Sequence, residues 1–312
     1  MRSLILIAFL LTGVIACHRA SSAPPAALDV TAVTGVTTVT ARRDELLEAS
    51  RALATRMASG EFVTPLSEAF APLGVYVNPG PLSARGPAAA RSWLERDTLN
   101  GRSTARWTAL RHDVSADGRD GYTYGYFDVI RPLGDTLPGK YHAYWRRNTA
   151  GRWQILAFSR RRRAPGPVAD ALPSWIAAPV VRVPVSGRDS VALLREVMDT
   201  ERAFSDSVRT NLQAAFMSFA APDAAKMEGG SQYAFGREAI GALFAGPAPP
   251  GGGPLWTPEV GTVASSGDLG FTTGPVVRRK PVEGGTPTGP TAGKYFTIWR
   301  RMPGGEWRYV VD

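Results

Sequence analysis

Apolar residues recur at helical spacing in two places along the chain. Leu46, Leu47, Leu53 and Met57 fall on roughly one face of a segment that opens with Asp44, Glu45 and Glu48, where a helix dipole favours anions. Val191, Leu194, Val197, Met198 and Phe204 repeat the pattern behind Ser190, a fitting N-cap. Each long helix is followed by a shorter helical piece (66–70 and 212–219) and by an irregular stretch carrying Asn78-Pro79-Gly80 or Glu228-Gly229-Gly230, which are turn signals. Another short helix then follows Gly86 (88–94) and Gly236 (238–244). Beyond those points the period changes to two. Strands are predicted over 107–114, 121–130, 140–147 and 153–158, with Tyr122, Tyr124 and Tyr126 on one face of the second. The later half gives strands at 262–264, 271–278, 294–301 and 307–311.

The two halves share residues as well as pattern. Gly139-Lys140-Tyr141, Trp145-Arg146-Arg147, Gly151 and Trp153 return as Gly293-Lys294-Tyr295, Trp299-Arg300-Arg301, Gly305 and Trp307, always 154 positions on. Ser115-Ala116-Asp117-Gly118 through Gly125 matches Ala264-Ser265-Ser266-Gly267 through Gly274 at an offset of 149, and Phe70, Pro72 and Gly86 find Phe219, Pro222 and Gly236. The order of matches is preserved, so a whole domain is duplicated; the period is a domain length and too long for a solenoid. Between the copies, residues 164–187 carry Pro165, Pro167, Pro173, Pro179 and Pro184, which resist helix and favour an extended connector.

Helices followed by long antiparallel strands make an α+β domain, with helices on one face of a curved sheet. The short helices at Gly86-Pro87-Ala88-Ala89 and Gly236-Arg237-Glu238-Ala239, together with the Lys-Tyr-x-x-x-Trp-Arg-Arg-x-x-x-Gly-x-Trp strand pairs, resemble the nuclear transport factor 2-like (NTF2-like) superfamily. More narrowly they resemble its SnoaL-like and ketosteroid-isomerase-related bacterial members. The resemblance implies two tandem cone-shaped domains, at 44–163 and 188–312, each with a pocket between curved sheet and helices. It says little about function, because that superfamily hosts isomerases, cyclases, dehydratases and non-catalytic binding domains.

The N-terminus adds a compartment. Residues 1–17 combine Arg2, a short apolar run and a small residue before Cys17, which reads as a signal peptide ending in a site similar to a bacterial lipobox. Cys17 is the sole cysteine; if it is lipidated, none remains for a disulfide, a zinc site or a thiol nucleophile. Residues 18–43 read as a flexible tether. The expected setting is the cell envelope, with the membrane as a partner through the lipid anchor. The net charge of +9 is almost all Arg, and the one dense run is Arg160-Arg161-Arg162-Arg163. That run suits either a polyanion or a solvated strand end; no stacking aromatics interleave with it, and no nucleic-acid partner is expected.

Candidate chemistry concentrates in the first copy. His112, Tyr124, His142 and Tyr144 are the candidate catalytic residues, His112, His142 and a tyrosine being able to form a proton-transfer set. Tyr122, Tyr126 and Arg146 are candidates for ligand binding, Arg146 through an anion clamp. Ordinary cross-strand packing is the alternative for all of them. The second copy has Gly261, Thr273, Phe296 and Ile298 where the first has His112, Tyr124, His142 and Tyr144, so one chemistry is not carried twice. No metal-ligand spacing, phosphate-binding loop or nucleophile elbow occurs, and no cofactor is implied. The leading expectation is non-catalytic binding of a small apolar or polar molecule or of a protein partner. The alternative is an isomerase-type enzyme with its site in the first domain only. The two domains are also expected to be able to pair as an intramolecular pseudo-dimer.

Overall fold

A computed structural model describes residues 30–77, 83–176, 179, 182, 184–185, 188–247, 253–278 and 291–312, the side chains of 30–37 and 291–292 aside. The signal segment with Cys17, the Asn78-Pro79-Gly80 turn and most of the low-complexity loop at 281–292 lie outside the described residues.

The first half runs α1 (Val30–Ser59), α2 (Val63–Glu68), β1 (Phe70–Val77), β2 (Ala84–Arg85) and α3 (Gly86–Leu94). After a 3-10 turn at Asn100–Arg102 come β3 (Thr104–Val114), β4 (Asp120–Ile130), β5 (Thr136–Leu137), β6 (Gly139–Arg147) and β7 (Trp153–Arg162). The second half repeats this as α4 (Ser190–Val208), α5 (Leu212–Phe219), β8 (Ala220–Lys226), β9 (Ala234–Phe235) and α6 (Gly236–Ala242). Then follow β10 (Leu255–Trp256), β11 (Val260–Val263), β12 (Leu269–Arg278), β13 (Thr291–Arg301) and β14 (Trp307–Val311). The first sheet is ordered β2-β1-β7-β6-β4-β3, and the second β9-β8-β14-β13-β12, with β10 and β11 both on β12. Strand β3 is thus one bulged strand in the first half and two pieces in the second. The β1–β7 and β8–β14 pairs run parallel, and every other ladder is antiparallel.

Two sequence expectations change. The helix expected from Asp44 begins at Val30 and takes in much of the expected tether. Its Val and Thr residues are weak helix formers, but Val39 is buried in the first core and Arg43 Nε donates to Asp113 Oδ1 at 2.8 Å; packing outweighs propensity. The stretches read as irregular after α2 and α5 contain strands β1 and β8, each the parallel neighbour of its half's last strand. Pro72 and Pro222 hide them from pattern reading, and both of their faces are largely buried, so no polar–apolar alternation exists to be seen.

Both faces of each sheet are covered. On the concave side α1 lays Leu46, Leu53 and Met57 onto Trp107, Trp145 and Phe158, and α4 lays Leu193, Val197 and Phe204 into the second core. On the other side the halves meet. Tyr122, Tyr124, Tyr126 and Tyr144 belong to the same apolar cluster as Phe271, Phe296 and Ile298. Contacts across this seam are reciprocal. At the hairpin tips, Asp117 Oδ2 accepts from Ser266 N at 3.0 Å, and Asp268 accepts from Ala116 N at 3.1 Å. His142 and Phe296 occupy equivalent positions of the two copies and stack on each other at 4.3 Å. From the connector, Arg182 reaches both halves: it donates to Asp113 at 2.7 Å, to Asp268 at 2.6 Å and to the Val114 carbonyl.

Candidate functional site

Of the residues that the sequence nominates, Tyr122, Tyr124, Tyr126, His142, Tyr144 and Arg146 lie in the seam, whereas His112 lies on the opposite face, toward α1. Tyr124 and Tyr126 pack on Tyr233 at 5.2 and 5.9 Å, and Tyr122 stacks on Tyr124 at 6.3 Å. The Tyr144 hydroxyl donates to Asp120 Oδ2 at 2.6 Å. Arg146 forms a fork on the same carboxylate, Nε and Nη2 each at 2.6 Å, and reaches Thr262 Oγ1 at 3.0 Å. That guanidinium is therefore held by protein, and its hydrogen bonds to Asp120 raise its pKa. His142 Nε2 lies 2.9 Å from the Phe296 carbonyl, with Nδ1 3.3 Å from Met227 Sδ. A carbonyl can only accept, so Nε2 carries the proton. Burial lowers this imidazole's pKa to about 3, so it is neutral near pH 7. His112 pairs with Thr123 and His142 with Tyr124, and neighbouring residues of β4 face opposite ways. The two histidines are thus on opposite faces and do not converge. Of the arginine run, Arg161 pairs with Glu228 at 2.8 Å, Arg163 with Asp128 at 3.3 Å, and Arg160 donates to the Leu137 carbonyl.

Open space lies elsewhere. A cavity of about 640 Å³ occupies the second cone, walled by Leu212 and Phe216 of α5, by Leu243 and Phe244 just past α6, by Trp256 and Val276, and by Tyr295 to Thr297 of β13. The first half closes it with His142, Ser159 and Arg161. One lip, at Met227 to Gly229, is tied down by the first half's Lys140. Its buried ammonium donates to the carbonyls of Met227 at 3.0 Å, Gly229 at 2.8 Å and Gln232. Burial, aided by Arg161 and Arg163, lowers that lysine's pKa to about 8. At the inner end, Lys226 Nζ sits 2.7 Å from Asp312 Oδ2 and 4.6 Å above the Phe216 ring. Behind Trp256, Glu201 accepts from the Trp299 indole N–H at 2.9 Å, and also from the Trp256 indole and the Thr272 hydroxyl. Burial raises its carboxyl to about 7. Among the described residues no cluster of three or more His, Cys, Asp or Glu is placed to hold a metal, and no helix is long and apolar enough to cross a membrane.

Three solved structures are each similar to less than half of this chain. An NTF2-like protein with a cystatin-like fold from Novosphingobium aromaticivorans is similar at 19% identity, over 47% of this chain and 92% of its own, with a TM-score of 0.34. An NTF2-like protein of unknown function from Pseudomonas putida KT2440 is similar at 14% identity, over 40% and 88%, with a TM-score of 0.34. A cystatin-like-fold protein of unknown function from Nostoc punctiforme is similar at 14% identity, over 37% and 86%, with a TM-score of 0.30. No protein-family model and no curated protein matches the chain.

The two halves differ at the centre of the cone. In the first domain Phe158 lies 5.4 to 6.3 Å from the rings of Phe70, Tyr76, Trp107, Phe127 and Tyr141 and fills the space. Tyr76 is its ladder partner, one step past the Val75–Ala157 pair; in the second domain the step past Ala225–Val311 brings Lys226 beside Asp312. Two ring side chains are thus replaced by an ion pair, and Phe127 by Val276. Ser50, which accepts from the Trp107 indole at 2.9 Å, is likewise replaced by Glu201. Sequence reading missed Glu201, Lys226 and Asp312. One signal was present: Glu201 interrupts the stripe Leu193, Val197, Phe204, Val208, where a carboxylate has no solvated reason to be.

His142 gives a pH test. Its folded-state pKa of about 3 lies below the 6.5 of a free imidazole, so protonation is penalised only in the fold. Its contribution to stability is whole above pH 6.5 and is lost as pH falls from there, by up to about 1.4 kcal/mol per pH unit. His142→Phe, which copies Phe296, is expected to flatten the urea midpoint between pH 6.5 and 4; an unchanged slope would place the acid sensitivity elsewhere.

Proposed function

We propose that this chain binds a small molecule, without converting it, in the cone of its second NTF2-like domain. The observation that carries this reading is the internal comparison: one cone is packed with rings around Phe158, and its copy is hollow around Lys226 and Asp312. A cavity of about 640 Å³ lies in the range of small-molecule sites, with mostly apolar walls and a few convergent polar groups. Binding is favoured over catalysis because Glu201, the group best tuned for proton transfer, stands behind the cavity wall with its oxygens taken by two indoles and a hydroxyl. The first domain serves as wall and clamp. The reciprocal contacts of Asp117 and Asp268, and the stacking of His142 on Phe296, support reading the two domains as an intramolecular pseudo-dimer. The lipobox-like setting of Cys17 supports a lipid-anchored place in the cell envelope.

Each part has its own test. The full chain purified from its own host is expected to retain a small molecule in native mass spectrometry. The variant Lys226→Tyr/Asp312→Phe, which grafts the first domain's plug, is expected to retain none while melting at or above the native temperature. An empty native chain, or equal retention by the plugged one, overturns the binding reading. Small-angle scattering is expected to show one compact body; two independently tumbling domains would rule out the pseudo-dimer. Cys17→Ser is expected to abolish labelling by a fatty-acid analogue and to release the chain from membranes, and retention with label would remove the anchor proposal.

A further inference from the structure

The duplication supplies a template for a second, smaller opening, which lies in the seam and outside the cone. Ser83 and Tyr233 are equivalent: each directly precedes a two-residue strand, β2 or β9, and they stand 150 positions apart. The Tyr233 hydroxyl donates to the carbonyls of Gly125 at 2.8 Å and Tyr141 at 2.6 Å. Its ring lies 5.2 Å from that of Tyr124, with Lys140 Nζ 5.4 Å away. The other copy has Gly274, Tyr295, Thr273 and Lys294 at these places, but Ser83 is too small to fill the room of a tyrosine. A gap of about 140 Å³ results, bordered by Ser83 and Arg85 of the first half and by Glu259, Thr273, Gly274 and Lys294 of the second. Its lining has changed character as well as size. Arg85 stands where the second half has Phe235, and Glu259 stands where the first has Leu110.

The charges around this gap do not balance within it. Among the described residues the Arg85 guanidinium meets no hydrogen-bond or ion-pair partner. Lys294 Nζ has one carboxylate neighbour, Glu259 Oε2 at 3.7 Å, and that side chain is 56% exposed while the lysine's own is 12% exposed. The equivalent Lys140 instead donates to three carbonyls. A largely desolvated ammonium with one distant, solvated partner gains from a further oxygen ligand. A phenol would copy Tyr233 in shape, but Thr273 already donates to the Tyr295 carbonyl, and neither Arg85 nor Lys294 can accept a hydrogen bond. An oxyanion can accept from Arg85, Lys294 and the Ser83 hydroxyl together. We infer that the gap is a site for a small oxyanion of the phosphate class, held between the Arg85 guanidinium, the Lys294 ammonium and the Ser83 hydroxyl. The bound ion ties the first half to the second on one side of the seam, as Lys140 and Tyr233 do on the other.

The test is isothermal titration calorimetry of the full chain with inorganic phosphate near pH 7, at an ionic strength held fixed with chloride. Saturable binding is expected, with a Kd of about 1 mM or tighter. Arg85→Gln is expected to weaken it at least about tenfold. Arg152→Gln, which removes an exposed cation from the β6–β7 turn, is expected to leave it unchanged. Ser83→Tyr, which copies Tyr233, is expected to abolish binding in a chain that melts at or above the native temperature. Lys294 also borders the larger cavity and is left intact, so the variants do not disturb that space. Absence of saturable binding to the native chain overturns the inference. So does binding that Arg85→Gln leaves unchanged, or that Arg152→Gln weakens equally, since the second result is screening of the net charge alone. Undiminished binding by a folded Ser83→Tyr chain overturns the placement in the gap; if that variant does not fold, the comparison of the two arginine variants decides. Tighter binding of acetate than of phosphate overturns the phosphate class.

Discussion

Each sheet of this protein is buried on both faces, by its own helices on the concave side and by the other sheet on the convex side. A strand in that position has few solvated positions, so a buried polar side chain that finds no partner within the protein costs free energy. The seam between the sheets follows from this. Asp120 is covered by Arg146 and the Tyr144 hydroxyl, Arg182 lies between Asp113 and Asp268, and Lys140 is met by three carbonyls. Those groups orient the halves more than they stabilise them, because the desolvation of buried ions offsets much of their attraction.

Duplication under this constraint lets the two cones diverge. The convex faces must keep matching each other, whereas each concave face packs chiefly against its own helices. The first cone satisfies itself with rings around Phe158, where each well-placed aromatic pair contributes about 0.5–1.5 kcal/mol beyond burial. The second forgoes that packing: Phe158 becomes Asp312, Tyr76 becomes Lys226 and Phe127 becomes Val276. Packing is retained around the hollow, where Phe204 meets Phe216, Phe219 and Trp256 at 4.9 Å. The hollow is therefore local, set within a core that is otherwise dense.

The hollow also joins the domains structurally. Its lip is held by Lys140 and its outer wall by His142 and Arg161, all on strands β6 and β7 of the first half. The site is complete only when the seam is closed, so the filled domain supports the hollow one. Groups of perturbed pKa serve different ends here. His142 is kept neutral by burial as a packing surface, while Glu201 is raised to about 7 beside the cavity without facing into it.

The duplication, the α+β class and the strand–turn–strand pairs ending at Trp153 and Trp307 were legible because they rest on local periodicity and on identities that any fold must preserve. The start of α1, and strands β1 and β8, were not, because neighbours distant in sequence stabilise them: Asp113 holds Arg43, and β7 and β14 hold the strands that Pro72 and Pro222 disguise. Which face of the sheet borders the open space was not legible for a related reason. Alternation says that Tyr122, Tyr124 and His142 share a side of the sheet, but it cannot say whether helices or a second sheet cover that side. By itself the sequence determined two copies of one α+β domain and the residues that share each strand face. Only the tertiary structure decided which face became seam and which became cavity, because burial belongs to pairs of surfaces and not to residues.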